Sequence, residues 1–479
     1  MAKQHGNGNG DGDGDGLSRR RLLGAGLASA AGLGLGGGTA ARAMAGTTGP
    51  VGSLRQPGSL RQPGSLPYPG LPAGTDTIPQ IEHIVVVMME NHSYDNRLGT
   101  LRRPGADGFT FANGAPTATN PYANGDIQHA FRMPTTCQLN AKPSQEWTQS
   151  HIQFNDGAND GFVISDSGPV AMGYWAGQDQ PFYHSLARTF PIADRYFSSV
   201  LGQTFPNRRY LLSATSIGQI EDTLPALTDY PANGTLFDAL DAAGVTWKDY
   251  FTITGPSTFP SIALYPKLFL DNQSTRVVPL TGFFADAAAG TLPGFCLVEP
   301  DFGSQSEENP QNIAAGEAFV ASVVNAVMSG PGWSKSLLIW TYDEHGGYYD
   351  HVPPPSALAP DDIPPAVVDG QQAFNGFSQY GFRVPFALVS PFARPAYVCH
   401  QVMDHTSICA LVQAKWNLPA MTLRDANAHP PLDMLDFHRV AFATPPELDQ
   451  PLVDVDPSAL ACNVTGPGTI PPPGSVTPG

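Results

Sequence analysis

Two short stretches of this chain run from apolar residues straight into acidic, amide and imidazole side chains. Ile84-Val85-Val86-Val87-Met88-Met89 leads into Glu90-Asn91-His92-Ser93, and Leu337-Leu338-Ile339-Trp340-Thr341-Tyr342 leads into Asp343-Glu344-His345-Gly346-Gly347. Carboxylate and amide oxygens are hard ligands of the kind that Mg²⁺, Ca²⁺ or Mn²⁺ prefers. One acid after an apolar run is commonly a helix cap or a solvated loop residue. Two such clusters read better as the halves of one cation site. Apolar runs this short suit central strands of a parallel sheet. Open α/β sheets bind ligands beyond the carboxyl ends of their strands, so both strands are expected to deliver their acids to one edge.

A third stretch, Leu201-Gly202-Gln203-Thr204-Phe205-Pro206-Asn207-Arg208, sets a hydroxyl between a glycine-containing turn and a helix start. The commonest use of Thr there is as an N-cap. Beside a cation, the same hydroxyl has the chemistry of a nucleophile.

With all three stretches in view, the chain resembles the bacterial phosphoesterase family that contains phospholipases C and a branch of acid phosphatases. The matching motifs are Glu90-Asn91-His92-Ser93-Tyr94-Asp95, Thr204-Phe205-Pro206-Asn207-Arg208, and the long run from Thr341 through Asp343-Glu344-His345-Gly346-Gly347 and Asp350-His351 to Pro353-Pro354-Pro355. Glu146-Trp147 with Ser150-His151, Asn159-Asp160-Gly161 and Asp404-His405-Thr406-Ser407 match as well. The resemblance runs from about Ile81 to about Asp436. It implies an α/β fold, an alkaline-phosphatase-like sandwich with a mostly parallel central sheet flanked by helices and long irregular loops. It also implies a divalent ion held by Glu90, Asn91, Asp343 and Glu344 and completed by Thr204, with Zn²⁺ possible beside the harder ions. Thr204 would be the nucleophile, and His151 a phosphate contact or the acid that protonates the leaving alkoxide. Asn309, Asn207 and His345 are the expected substrate contacts. At one place the chain departs from the pattern. Many relatives carry an acid followed by His-Pro where this chain reads Glu307-Glu308-Asn309-Pro310. An amide cannot protonate a leaving group as an imidazolium does, but it can hydrogen-bond a phosphate oxygen.

The function implied is a phospholipase C that cleaves phosphatidylcholine-like lipids to diacylglycerol and a phosphorylated head group through a phosphothreonine intermediate. An acid phosphatase acting on monoesters is the near alternative, and an inactive binding homologue the remote one. In the family the lipase branch carries Thr at the nucleophile position and the phosphatase branch Ser, so Thr204 favours the lipase. The 479 residues carry a formal net charge of -17, the wrong sign for a protein that binds nucleic acid by neutralising phosphates.

The elements that must position these groups alternate between helix and strand. Ala314 to Met328 has helical spacing, with Gly330-Pro331 as its stop and the Leu337 strand next. Leu236 to Ala243, with Thr235 as N-cap and Gly244 as stop, leads into a strand at Val245-Thr246-Trp247. Arg383 to Ser390 reads as a strand and Ser407 to Trp416 as a helix. The Pro-rich stretch from Pro353 to Ala366 is expected to be loop and a wall of the site.

Residues 1–45 read as a twin-arginine signal peptide, with Ser18-Arg19-Arg20-Arg21-Leu22-Leu23 and an Ala43-Met44-Ala45 cleavage site. The expectation is export by the twin-arginine machinery to the periplasm or beyond, with no stable membrane span. Residues 46–79 carry repeats of Gly-Ser-Leu-Arg-Gln-Pro and read as a disordered or extended linker. The catalytic domain is expected over 80–440 and a Pro/Gly-rich tail over 441–479. Five cysteines lack metal-site spacing. Cys399 and Cys409 are candidates for a bridge, with buried free thiols as the alternative.

Overall fold

Aliphatic and β-branched side chains resist helix and fit a pleated surface, and the chain uses them to build its centre. The computed structural model describes residues 59–137, 143–252, 259–368 and 370–452; the leader and the first repeat unit lie outside them. Eight strands form the main sheet: β1 (His83–Met89), β2 (Ile192–Ala193), β3 (Trp247–Tyr250), β4 (Val277–Val278), β5 (Phe295–Val298), β6 (Ser336–Tyr342), β7 (Phe386–Val389) and β8 (Val398–Cys399). Their spatial order is β4-β3-β5-β1-β6-β7-β2-β8. β7 alone runs against its neighbours β6 and β2, and every other pairing is parallel. The α/β class and the mostly parallel sheet are as expected.

β1 is buried from Ile84 to Met89 and β6 along its whole length, as strands covered on both faces must be. They pair in register from His83↔Ser336 to Met89↔Tyr342. The two acidic clusters therefore leave the sheet side by side, and the Asp343 amide continues the ladder by donating to the Met89 carbonyl (3.1 Å).

Five helices matter for the site: α1 (Trp147–Phe154), α2 (Thr204–Ser213), α3 (Leu236–Ala242), α4 (Ile313–Ser329) and α5 (His405–Trp416). α4 is the expected crossover between β5 and β6. α3 starts at a capping box in which Thr235 and Asp238 satisfy each other's backbone amides. α5 begins two residues earlier than its apolar pattern suggests, because Asp404 and Ser407 form a capping box.

Two expectations about the ends change. The described part of the linker, from Ser59, docks as a strap along the end of α5. Thr77 donates to the Lys415 carbonyl (2.7 Å), Gly64 to that of Ala420 (2.7 Å), and Arg61 N–H to Asn427 Oδ1 (3.0 Å). Repeat composition says that such a segment builds no core of its own, and it is silent about docking on another. The expected tail likewise begins with packed chain. Phe442 packs against Phe190 with the rings tilted, its carbonyl accepts the Trp333 indole N–H (2.9 Å), and Leu448 is buried. Cys296, Cys399 and Cys409 are free and buried, so the Cys399–Cys409 bridge does not form. Cys137 is disulfide-bonded, and Cys462 lies outside the described residues.

Asn417 anchors the strap. It holds the left-handed C-cap of α5 (φ 45°), accepts the Tyr68 amide at Oδ1 (2.9 Å), and offers Nδ2 to the carbonyls of Tyr68, Leu71 and Pro72 (3.0–3.1 Å). Asn417→Gly keeps the backbone conformation and removes these bonds. It is expected to cost about 2 kcal/mol in denaturant unfolding and to speed protease cleavage within 59–79; an unchanged cleavage rate would refute the anchoring.

Candidate active site

The β1 and β6 exits form a single cluster. Asn91 takes a left-handed conformation (φ 68°) directly after β1, which turns its amide toward Asp343: Asn91 N–H donates to Asp343 Oδ1 (3.1 Å). Glu344 N–H donates to the same oxygen (2.7 Å), and Gly346 N–H to Glu344 Oε2 (2.6 Å). Gly346 (φ +66°) sits where a Cβ would lie 1.9 Å from the Asn91 carbonyl oxygen. Only glycine lets the two turns meet.

Thr204 is the first residue of α2, and Gln203 takes the N-cap position. Thr204 is thus free of the N-cap role, and its hydroxyl donates to Asn91 Oδ1 (3.2 Å). The cap is supplied from elsewhere. Phe205 N–H donates to Asp222 Oδ1 (2.7 Å), and Asp222 N–H donates to Gln203 Oε1 (2.8 Å). One turn along α2, Arg208 enters the cluster. Its Nε donates to Asp343 Oδ2 (3.0 Å), its Nη2 lies 3.7 Å from Glu90 Oε1 and donates to the carbonyls of Met88 and Met89, and its Nη1 donates to Ser261 Oγ (3.2 Å).

Charge is poorly balanced here. Burial pushes the Asp343 carboxyl up to about 6 despite Arg208. Burial, reinforced by neighbouring acids, also drives Glu90 and Glu344 well above the carboxylate range. Glu344 Oε1 and Asn91 Nδ2 are buried with no hydrogen-bond partner. A lone carboxylate oxygen facing other acids fits a divalent cation, which the donor set Glu90, Asn91, Thr204, Asp343 and Glu344 can hold. A second set, Asp95, Asp350 and His351, brings three ligand atoms within 4.8 Å of one another and is also of types suited to a divalent metal. There Arg383 already supplies the positive charge, with Nη2 on Asp95 (3.2 Å) and Nε on Asp350 (2.8 Å).

The remaining expected site residues divide. His151, on α1, donates from Nδ1 to the Trp147 carbonyl (2.7 Å) and stacks on Phe374 at 4.0 Å. Burial pulls its pKa down to about 4, so the ring is neutral at pH 7, with Nε2 as its basic nitrogen. A Cβ on Gly202 would lie 3.5 Å from the Trp147 ring, so α1 leans on the turn that carries Thr204. Asn309 is buried against the Gly346 turn. It accepts from the Tyr348 hydroxyl (2.9 Å) and donates to the Gly346 carbonyl (3.4 Å).

Asn207 and His345, expected as substrate contacts, have their polar atoms bonded within the protein. Asn207 is fully buried, accepts the Val200 amide and donates to the carbonyls of Val200, Gly202 and Gln203, which spends its amide on shaping the turn. His345 donates from Nε2 to Gln153 Oε1 (2.6 Å) beneath Phe162 and Phe382, and burial lowers its pKa to about 3. The loop that follows the Pro-rich stretch touches α1 at Gln371–Phe377, through Phe374 on His151 and the Gln372 carbonyl on Trp147 Nε1 (2.8 Å).

Arg208 and Asp222 were not among the expected site residues. Arg208 had a signal, since it lies four residues after Thr204 on one helix face. Asp222 had none. Arg208→Met is expected to destabilise the metal-free protein by about 3 kcal/mol, and calorimetry should then show Mn²⁺ recovering more stability than in the wild type. An equal gain in both proteins would mean that the ion does not meet these carboxylates.

The family model described as the Phosphoesterase family matches residues 81–419. The chain is similar to Phospholipase C A of Mycobacterium tuberculosis, 30% identical over 435 residues that cover 80% of this chain and 83% of that one. It is similar to Non-specific phospholipase C1 of Arabidopsis thaliana, 32% identical over 384 residues, 72% of this chain and 69% of that one. Among solved structures, a protein in the alkaline phosphatase superfamily from Vibrio parahaemolyticus shares 10% identity with a TM-score of 0.39, covering 78% of this chain and 74% of that one.

Proposed function

Since the chain belongs to the phosphoesterase family and is a hydrolase of phosphoester bonds, we propose that it is an exported, metal-dependent phospholipase C acting on phosphatidylcholine-like lipids. The observation that carries this reading is the Thr204 hydroxyl, held against Asn91 at the start of a ten-residue helix, beside three buried acids with one guanidinium between them. A divalent ion bound by Glu90, Asn91, Asp343, Glu344 and Thr204 would neutralise phosphoryl oxygens and acidify the hydroxyl.

The chain's own groups do the rest. The α2 N-terminus directs positive dipole charge at an entering phosphate. Thr204 Oγ gives up its proton to solvent as it attacks phosphorus in line, the bond to the diacylglycerol oxygen breaks, and the head-group phosphate stays on Thr204. His151 accepts a proton at Nε2 once an anionic phosphate lies beside it and passes that proton to the departing alkoxide. Water then cleaves the phosphothreonine and frees the phosphorylated head group. Asn309 supports the Gly346 turn and keeps one amide hydrogen for a phosphate oxygen.

Thr204→Ala removes the nucleophile together with an oxygen ligand and is expected to be inactive. Thr204→Ser keeps the oxygen and is expected to retain measurable hydrolysis. Acid quenching of the wild type during turnover should yield phosphothreonine in the peptide containing Phe205-Pro206-Asn207. Alanine with wild-type turnover of phosphatidylcholine would overturn the assignment. Release of phosphate from a chromogenic monoester, without diacylglycerol from lipid, would favour the acid phosphatase instead.

Export rests on the leader pattern. Replacing Arg19, Arg20 and Arg21 by Lys is expected to leave the precursor in the cytoplasm, and fractionation showing normal export would refute that route. No helix among the described residues is long and apolar enough to cross a membrane.

A further inference from the structure

Two loops whose described residues form no helix or strand meet beside the candidate site. The first, 218–230, holds Asp222, which caps α2. The second, 361–377, holds Phe374, which stacks on His151. Ala366 N–H donates to the Gly218 carbonyl (2.7 Å), and the Gln371 amide donates to Glu221. These bonds make the two loops one rim.

The rim presents Leu224, Leu227, Ile363, Val367, Val368 and Phe374 to solvent, at 41–63% exposure. These are six of the fifteen exposed large hydrophobic side chains among the described residues, gathered on two loops that hydrogen bonds hold together, where exposed apolar residues are normally scattered singly. Neither loop contains a lysine or an arginine, while Glu221, Asp222, Asp229, Asp361 and Asp362 lie among the apolar residues. Such a surface is repelled by polyanions and anionic lipid and has side chains suited to entering an uncharged interface.

We propose that this rim is a docking surface for a zwitterionic lipid interface, placing Thr204 and His151 over the head groups from which a substrate is drawn. The proposal rests on the phospholipase reading and deepens it. A two-chain lipid is almost insoluble as a monomer, so an enzyme that cleaves it must meet it at an interface. Burying two or more aliphatic side chains among acyl chains supplies enough transfer free energy to hold it there.

The test uses the mature protein and its Leu224→Ser/Val368→Ser variant, whose changed side chains are both more than half exposed. Co-sedimentation with phosphatidylcholine vesicles is expected to fall roughly tenfold in the variant. Wild-type binding is expected to weaken when phosphatidylglycerol replaces part of the phosphatidylcholine at low salt. Hydrolysis of vesicle lipid should fall in step with binding, while short-chain phosphatidylcholine, monomeric below its micellar concentration, is cleaved at the wild-type rate. Equal vesicle binding by the two proteins overturns the proposal, and so does an equal loss on vesicles and monomers, which would assign the residues to folding. A wild-type dimer in sedimentation velocity that becomes monomeric in the variant gives the surface to a second copy and also overturns it. Binding is read independently of turnover. Vesicle binding that depends on the rim, with hydrolysis of neither lipid, would count against the phospholipase reading and leave the docking surface standing.

Discussion

The in-register pairing of β1 with β6 forces acids together at one edge of the sheet, and the local chemistry is a response to that crowding. Glu90, Asp343 and Glu344 are buried within hydrogen-bonding reach of the same turns. Burying unbalanced carboxylates costs several kcal/mol each. Several other buried acids have a cation of their own. Glu307 meets Arg97 and the hydroxyls of Tyr183 and Tyr342, Asp95 and Asp350 share Arg383, and Asp404 faces Arg424. At the sheet edge Arg208 is shared between Asp343 and Glu90, and Glu344 Oε1 is left without a partner. Such an imbalance fits a cation, and a cation beside a helix-start hydroxyl would suit phosphoryl transfer.

Backbone detail then turns a charged pocket into an oriented one. Asn91 and Gly346 both lie in the left-handed region, and each turn is shaped by the other's carbonyl or amide. Asn207 locks the 200–203 turn from within, so Thr204 emerges at a fixed angle. His405 donates to the Asp343 carbonyl (2.6 Å), which ties α5 to the same point. Few of these contacts involve reacting groups. They remove freedom that would otherwise have to be lost in the transition state.

Much of this was legible from residue types. Apolar runs ending in Glu90-Asn91 and Asp343-Glu344 identified two buried strands that deliver acids to one sheet edge, because strand burial and ligand type are local properties; their pairing side by side was not legible. α3 and α4 were readable from caps and stops for the same reason. What stayed hidden was set by tertiary contact. Asp222 caps α2 from a loop whose composition gives no sign of it. The docking of the 59–79 strap depends on an acceptor surface hundreds of residues away. Asn207 and His345 carry the polar types of a binding site, and only the bonds around them show that Asn207 holds a backbone turn and His345 a neighbouring side chain.

The strap and the β1–β6 seam together dictate an order of assembly. β1 leaves the ribosome long before β6 exists, and the strap leaves before the α5 surface that receives it. Both early segments have to wait as unpaired chain, exposing a hydrophobic edge that is prone to aggregation until the late segments arrive. The same delay acts as a safeguard. The acidic cluster, the helix that presents Thr204 and the His405 tie cannot coexist in a chain that ends before His405, so no shorter nascent fragment can assemble the site.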